Sequence, residues 1–85
     1  MHGPEHYLSK IDRNANVVST APAEVRDECL ANIKWAREVA SRIETGQIGY
    51  FEGREQVIDR IHSIMDEDYE KMGYELPKAP QAPHM

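Results

Sequence analysis

Residues 20–46 read TAPAEVRDECLANIKWAREVASRIETG, and this stretch decides the fold because it is the longest run with a regular apolar period. At about 100° per residue, one set of its side chains falls in a single stripe along a helix. The members of the stripe are Val25, Cys29, Asn32, Ile33, Ala36, Val39, Ala40 and Ile43. Charged residues lie on the opposite side, so the sequence predicts an amphipathic helix with one core-facing side.

Both ends of this helix carry boundary signals. Ser19 or Thr20 can accept a hydrogen bond from an early backbone N–H, and Pro22 suits the first turn, where its missing donor is not needed. Glu24 complements the positive end of the helix dipole. Gly46 is the residue best able to adopt a positive φ after a helix. The pattern therefore predicts a helix that starts at Thr20 and stops at Gly46.

Two large apolar side chains, Leu30 and Trp35, project from opposite flanks of the stripe. A single neighbouring helix over the stripe would leave at least one of them in water. They either pack under other parts of the same chain or form an exposed contact for a protein partner, a role in which tryptophan is enriched. Asn32 leaves a similar choice, since it is either a partly exposed or backbone-bonded amide or a buried one that fixes helix register.

A short first helix is predicted over residues 2–13. Pro4 stands at an early helical position, and Tyr7, Leu8 and Ile11 share one face. A helix of this length is not stable alone in water. It must therefore dock on the long helix, where its apolar side chains are candidates to cover one of the two flanking side chains.

Two segments are predicted as connections. Residues 14–20 contain two asparagines and two hydroxyl side chains, which favour turns and caps. The second connection carries Gly49 and Gly53 around Tyr50 and Phe51, and such a short reversal favours antiparallel helices. No Ser, Thr, Asp or Asn is available to cap the next helix, so either Gly49 or Gly53 must do so. Of Tyr50 and Phe51, one is expected in the core and the other near the surface.

A second long helix is predicted to run to Met72 and to stop at Gly73. Its apolar face consists of Val57, Ile58, Ile61, Ile64, Met65, Tyr69 and Met72. If Gly73 is left-handed, Tyr74 contacts Tyr69 in a Schellman closure. Asp68 intrudes on this face, which we interpret as the last turn leaving the core. With Asp66, Glu67 and Glu70 it is expected to form a solvated acidic face rather than a cation site, because consecutive carboxylates on a helix point apart.

The chain divides into a helical domain, residues 1–76, and a Pro-rich tail, residues 77–85. The tail cannot be helical and favours polyproline II. Its P-x-x-P spacings fit SH3-type grooves, although such spacing arises readily by chance and a disordered tail is the simpler interpretation.

Composition limits the classes of function. Ten basic and fifteen acidic residues give a formal charge of −5, and no Lys/Arg cluster exceeds two, so nucleic acid is not a predicted partner. No run approaches the ~18 apolar residues of a membrane span, no basic-then-apolar leader opens the chain, and its single cysteine fits a reducing compartment. We therefore expect a cytoplasmic protein without membrane contact. Its 85 residues make a marginal core, so a homo-oligomer is predicted.

Motifs for catalysis are absent from the sequence. There is no Gly-x-Ser-x-Gly, no phosphate-cradling Gly-rich loop and no CxxC. His2 and His6 are four residues apart, but no third ligand is near in sequence. We therefore predict no enzyme activity, no catalytic residue, no cofactor and no metal.

Two short segments resemble known families. Gly3-Pro4-Glu5-His6-Tyr7 resembles the opening of short proteins of unassigned function from actinobacteria and their phages, which implies a phage genome and the host cytoplasm. Ile43-Glu44-Thr45-Gly46, with Glu55-Gln56-Val57 and Ile61, is similar to the helix, glycine turn and Glu-x-Val helix of small antitoxins. The spacing here is slightly longer, and the basic DNA-binding part of those antitoxins is missing.

The sequence as a whole predicts an all-α protein. Residues 20–46 pack against residues 50–72 as an antiparallel helical hairpin, the short N-terminal helix crosses it, and two chains dimerise into a bundle. The predicted function is non-catalytic protein–protein interaction, with a phage-encoded modulator of a host protein as its setting. The alternatives are an antitoxin-like half of an addiction pair and a structural subunit. The predicted interface residues are Leu30, Trp35, Tyr50 and Phe51.

Overall fold

The computed structural model describes residues 6–47 and 53–77. These ranges contain α1 (Tyr7–Val17), α2 (Ala23–Glu44) and α3 (Arg54–Lys71), with a 3-10 helix at Val18–Thr20 and no strand. Each α-helix contacts the other two. The all-α prediction is therefore confirmed for the described residues.

Some predictions concern residues outside these ranges. They are the early proline Pro4, the histidine His2, the connection residues Gly49, Tyr50 and Phe51, and the tail beyond Pro77.

The long helix α2 buries the face that its period predicts. Its fully buried side chains are Cys29, Ile33, Ala36, Ala40 and Ile43, while Val25, Asn32 and Val39 at the edges of the stripe are half-buried. Each large aliphatic side chain removed from water in this way stabilises the fold by about 1.5–3 kcal/mol. The core face of α2 is thus set by local sequence.

The predicted cap of α2 by Ser19 or Thr20 is wrong. Pro22 is the N-cap residue and makes no side-chain cap hydrogen bond. The residue before it, Ala21, is extended, with φ −70° and ψ 149°, because proline keeps its predecessor out of the helical region. The Thr20 hydroxyl instead donates to the Val17 carbonyl oxygen at 2.7 Å. Pro22 is therefore the residue that separates α2 from the preceding helical turns.

The first helix is displaced from its predicted range, and the prediction of a connection over residues 14–20 is wrong. The helix begins at Tyr7 after His6, whose Nδ1 accepts a hydrogen bond from the Leu8 N–H at 3.2 Å, and it continues to Val17. Asn14 does not break it because its side-chain amide donates to another helix rather than to its own backbone.

A glycine stands at each boundary of α3. Gly53 is its N-cap residue, which settles the choice between the two glycines of the connection. At the other end Gly73 has a φ of 101°, and the Tyr74 N–H donates to the Tyr69 carbonyl oxygen at 3.2 Å. The Tyr69 and Tyr74 rings stack with centroids 5.0 Å apart. The predicted Schellman closure is confirmed.

The core lies where the three helices meet. From α1 and the 3-10 helix it takes Tyr7, Ile11 and Val18, and from α3 it takes Ile58, Ile61 and Met65, with Met72 just beyond that helix. The predicted apolar face of α3 is therefore largely buried, and Val57, Ile64 and Tyr69 are half-buried at its edges.

Candidate protein-binding surface

Leu30 lies on the solvent side of α2 and is 46% exposed. Along a helix its nearest surface neighbours are the residues three, four and seven positions away. These are Ala23, Arg26, Asp27, Ile33, Lys34 and Arg37. Leu30 is thus an apolar side chain in a setting of three cations and one carboxylate. We call Arg26, Leu30, Lys34 and Arg37 the α2 outer surface.

The cations of this surface are accessible. Arg26, Lys34 and Arg37 are all exposed. Arg26 is held in place, since its guanidinium donates to the Ala21 carbonyl oxygen at 2.7 Å. Neither Lys34 nor Arg37 forms an ion pair with a residue in the described ranges. Their charges are therefore available to a carboxylate from outside the chain.

Trp35 lies on the other flank of α2 and differs from Leu30 in its surroundings. Its side chain is half-buried and packs against the core. The Arg60 guanidinium of α3 lies 5.8 Å from the ring centroid, near the outer limit for a cation–π contact. The structure therefore does not bring Leu30 and Trp35 together, and Tyr50 and Phe51 lie outside the described residues.

A second exposed apolar side chain was not singled out from the sequence. Leu8 on α1 is 37% exposed, whereas Tyr7 and Ile11, which share its predicted face, are each 2% exposed. Leu8 lies at the edge of that face, and a run of only 11 helical residues does not locate the centre of the buried side.

The junction between α1 and α3 is built from charged and amide side chains. Asn14 is 0% exposed, and its Nδ2 donates to the Met65 carbonyl oxygen at 2.8 Å. Asp66 accepts from the Lys10 ammonium at 2.9 Å and from the Arg13 guanidinium at 3.2 Å. These groups bond to one another across the two helices, so we interpret the junction as a structural cluster rather than an open site.

The junction between α2 and α3 contains a buried carboxylate. Asp68 is 1% exposed, and its Oδ2 accepts from Asn32 Nδ2 at 2.8 Å. Burial raises the pKa of Asp68, and the hydrogen bond from Asn32 and the charge of Lys71 oppose that rise. At the surface beside it, Lys71 and Glu28 form an ion pair at 2.7 Å.

Two sequence interpretations are corrected by these contacts. Asp68 does not mark a turn that leaves the core, because it is inside the core and paired with Asn32. The acidic residues of α3 are also not one solvated face, since Asp66 is half-buried and bound by two cations of α1, whereas Glu67 and Glu70 are exposed. The sequence leaves the role of Asn32 open, and the structure shows that its side-chain amide links α2 to α3 through Asp68.

The remaining titratable core groups are held in their neutral forms. The Tyr7 hydroxyl donates to Glu44 Oε2 at 2.5 Å, and burial, then this hydrogen bond, raises its pKa to about 12. Burial and the nearby Asp68 raise the pKa of the Cys29 thiol. A buried thiol with a raised pKa is a poor nucleophile. Among residues 6–47 and 53–77, no group of three His, Cys, Asp or Glu side chains is arranged to hold a metal ion.

Comparison with protein-family models, curated proteins and solved structures gives no match. In the part of the chain that the structure describes, no helix combines the length and the apolar character that crossing a bilayer requires.

Proposed function

We propose that this chain is a non-catalytic protein that acts by docking on another protein through the α2 outer surface. The observation that carries the proposal is Leu30, a leucine left 46% exposed within α2, the longest of the described helices. Burying such a side chain in an interface would contribute about 1 kcal/mol, roughly half the value of full burial. The adjacent cations Lys34 and Arg37 would orient the partner and raise its association rate.

The same proposal includes the arrangement of the helices. Two contacts support an antiparallel hairpin of α2 and α3: Glu28 pairs with Lys71, and Asn32, one turn later in α2, pairs with Asp68, about one turn earlier in α3. This packing uses one side of α2 and leaves its outer surface for a partner.

A homodimer is also part of the proposal. Its support is the small size of the chain, for which additional burial between copies is a common source of stability. Light scattering on the purified chain measures its mass directly, and Leu8→Glu tests whether the exposed leucine of α1 contributes.

For the setting we propose a phage-encoded modulator in the host cytoplasm, supported by the resemblance of residues 3–7. Expression of the chain alone in an actinobacterium should slow growth. Rescue of cells from a neighbouring toxin would instead favour the antitoxin alternative, and neither effect would favour a structural subunit.

The docking proposal is tested by capture from an actinobacterial lysate with the tagged chain, followed by mass-spectrometric identification and reconstitution with the purified partner. Leu30→Glu should abolish capture. Ser63→Glu is the control, because it adds the same charge at an exposed position of a different helix, α3, and should capture as wild type does. Circular dichroism should show wild-type helicity for both. Equal capture by all three chains would refute the proposal.

Trp35 is less suitable for this test. Because its ring packs against the core, Trp35→Ala should lower the stability of the fold as well as any affinity. Leu30 separates binding from folding more cleanly.

A further inference from the structure

The charges around Leu30 restrict the kind of partner that the α2 outer surface can accept. The chain as a whole carries a formal charge of −5, yet Arg26, Lys34 and Arg37 surround Leu30, and among its neighbours three, four and seven residues away Asp27 is the one carboxylate, with Glu38 one turn beyond Lys34. A local positive field on an acidic protein selects for an acidic partner and steers its approach. The apolar side chain at the centre requires an apolar contact opposite it.

A second copy of the chain does not meet these requirements through the same surface. If two α2 helices crossed antiparallel at Leu30, Arg26 of one copy would face Lys34 of the other, because both lie four residues from the centre. Like charges facing each other across helices are destabilising. The surface is therefore not self-complementary.

The spacing of the charges fits a helix. From Arg26 to Arg37 the cations extend over about 16 Å of α2, at a rise of ~1.5 Å per residue. A helix with carboxylates at intervals of three and four residues presents a row of the same length and period. An apolar residue within that row would pack on Leu30, as in helix recognition by apolar contacts on one face.

Phosphate-bearing partners fit less well. Three cations with a leucine among them offer few phosphate contacts, and nothing on a duplex backbone matches Leu30. A membrane-surface helix needs a broad apolar face, whereas the apolar face of α2 is occupied by the core.

On this basis we infer that the partner of the α2 outer surface is an acidic amphipathic helix, with carboxylates opposite Arg26, Lys34 and Arg37 and an apolar side chain against Leu30. This inference rests on the proposed docking function and specifies the chemistry of its partner.

The experiment uses three synthetic helical peptides of about 18 residues, long enough to form a helix on binding. The first carries one central leucine with glutamates three and four residues to either side. The second has lysine in place of each glutamate, and the third has alanine in place of the leucine. Each is titrated into the isotopically labelled full chain and followed by NMR at the backbone amides.

The glutamate peptide should bind, should shift the amides of residues 26–37, and should weaken as salt is raised. Replacement of its leucine should weaken binding about tenfold, and the lysine peptide should not bind. The double variant Lys34→Glu/Arg37→Glu should reverse this preference. If that variant loses helicity, the neutral Lys34→Gln/Arg37→Gln variant is used, and it should lose the glutamate peptide.

Short duplex DNA and vesicles of equal parts phosphatidylglycerol and phosphatidylcholine are titrated in parallel. Tighter binding of either, equal binding of the lysine and glutamate peptides, or shifts elsewhere in the chain would overturn the inference. Failure of the proposed docking function can be told apart from failure of this inference. If lysate capture depends on Leu30 but is unchanged in Lys34→Glu/Arg37→Glu, docking stands and the acidic partner is wrong; if capture does not depend on Leu30, docking itself is wrong.

Discussion

The two junctions of α3 use the same pair of residue types in opposite ways. At the α1–α3 junction the amide of Asn14 is 0% exposed, while the side chain of Asp66 remains 28% exposed and meets two cations. At the α2–α3 junction Asp68 is 1% exposed, while its partner Asn32 is only half-buried. The first junction buries the neutral group and the second buries the acid.

This difference determines what each junction contributes to stability. A buried amide with satisfied hydrogen bonds costs little, whereas a buried carboxylate loses hydration that one amide donor does not replace. The raised pKa of Asp68 is the direct sign of that loss. We therefore expect the α1–α3 junction to hold the fold together and the α2–α3 junction to weaken it at neutral pH.

The largest expected effect is at Asn14. Asn14→Ala removes the bond to the Met65 carbonyl oxygen, takes the acceptor from Arg13 Nε, and leaves a cavity, so the free energy of unfolding should fall by about 3 kcal/mol. Urea denaturation measures the change. Asn16→Ala, at an exposed position of the same helix, should change it by less than about 0.5 kcal/mol. Equal effects at both positions would mean that the buried amide has no special role.

The second-largest loss of stability is expected at Asp66. Asp66→Asn removes the charge of the carboxylate that the Lys10 and Arg13 side chains, which are 13% and 15% exposed, both contact. Because these ion pairs are only partly buried, the free energy of unfolding should fall by about 1 kcal/mol. The same urea measurement applies. A loss that persists unchanged in high salt would argue against an electrostatic origin.

The same substitution at Asp68 should have the opposite sign. In the folded chain the pKa of Asp68 is raised, so the folded state holds the proton at pH values where the unfolded chain has lost it. Stability therefore falls as pH rises from the ordinary aspartate range through the raised pKa, and the full cost is present above it. Asp68→Asn keeps an acceptor for Asn32 and should raise the melting temperature at neutral pH, by an amount that disappears in acid. A lower melting temperature at neutral pH would refute the comparison.

The smallest effect is expected at the surface of the α2–α3 junction. Lys71 and Glu28 have side chains 43% and 54% exposed, and such pairs contribute little because water and salt screen them. Lys71→Gln should leave the thermal melt unchanged within error. A clear loss would show that Lys71 stabilises the buried Asp68 charge from the surface.

The sequence predicts those parts of the fold that depend on local pattern. The buried stripe of α2 and the Tyr69–Tyr74 closure follow from helical period and from Gly73. The end of the 3-10 helix that follows α1 also has a local signal, because Pro22 forces Ala21 out of the helical region. The asparagines of residues 14–20 predict a connection instead, and this prediction is wrong.

The polar junctions could not be read in the same way. Whether Asn14 ends a helix or crosses to Met65, and whether Asp68 faces water or Asn32, depends on a partner contributed by another helix. At the candidate surface, helical period places Leu30 and Trp35 off the stripe. It does not say that Trp35 packs against the core, with Arg60 of α3 near its ring, while Leu30 stays exposed.

Cys29 is a natural probe of local opening at the α2–α3 junction. It is the one cysteine in the sequence and is 0% exposed beside the α2–α3 junction, so a thiol reagent reaches its sulfur only when the helices part. The rate of modification therefore measures how often the α2–α3 junction opens, without any added label. If the buried Asp68 destabilises this junction, thiol modification should be markedly slower in Asp68→Asn than in the wild-type chain.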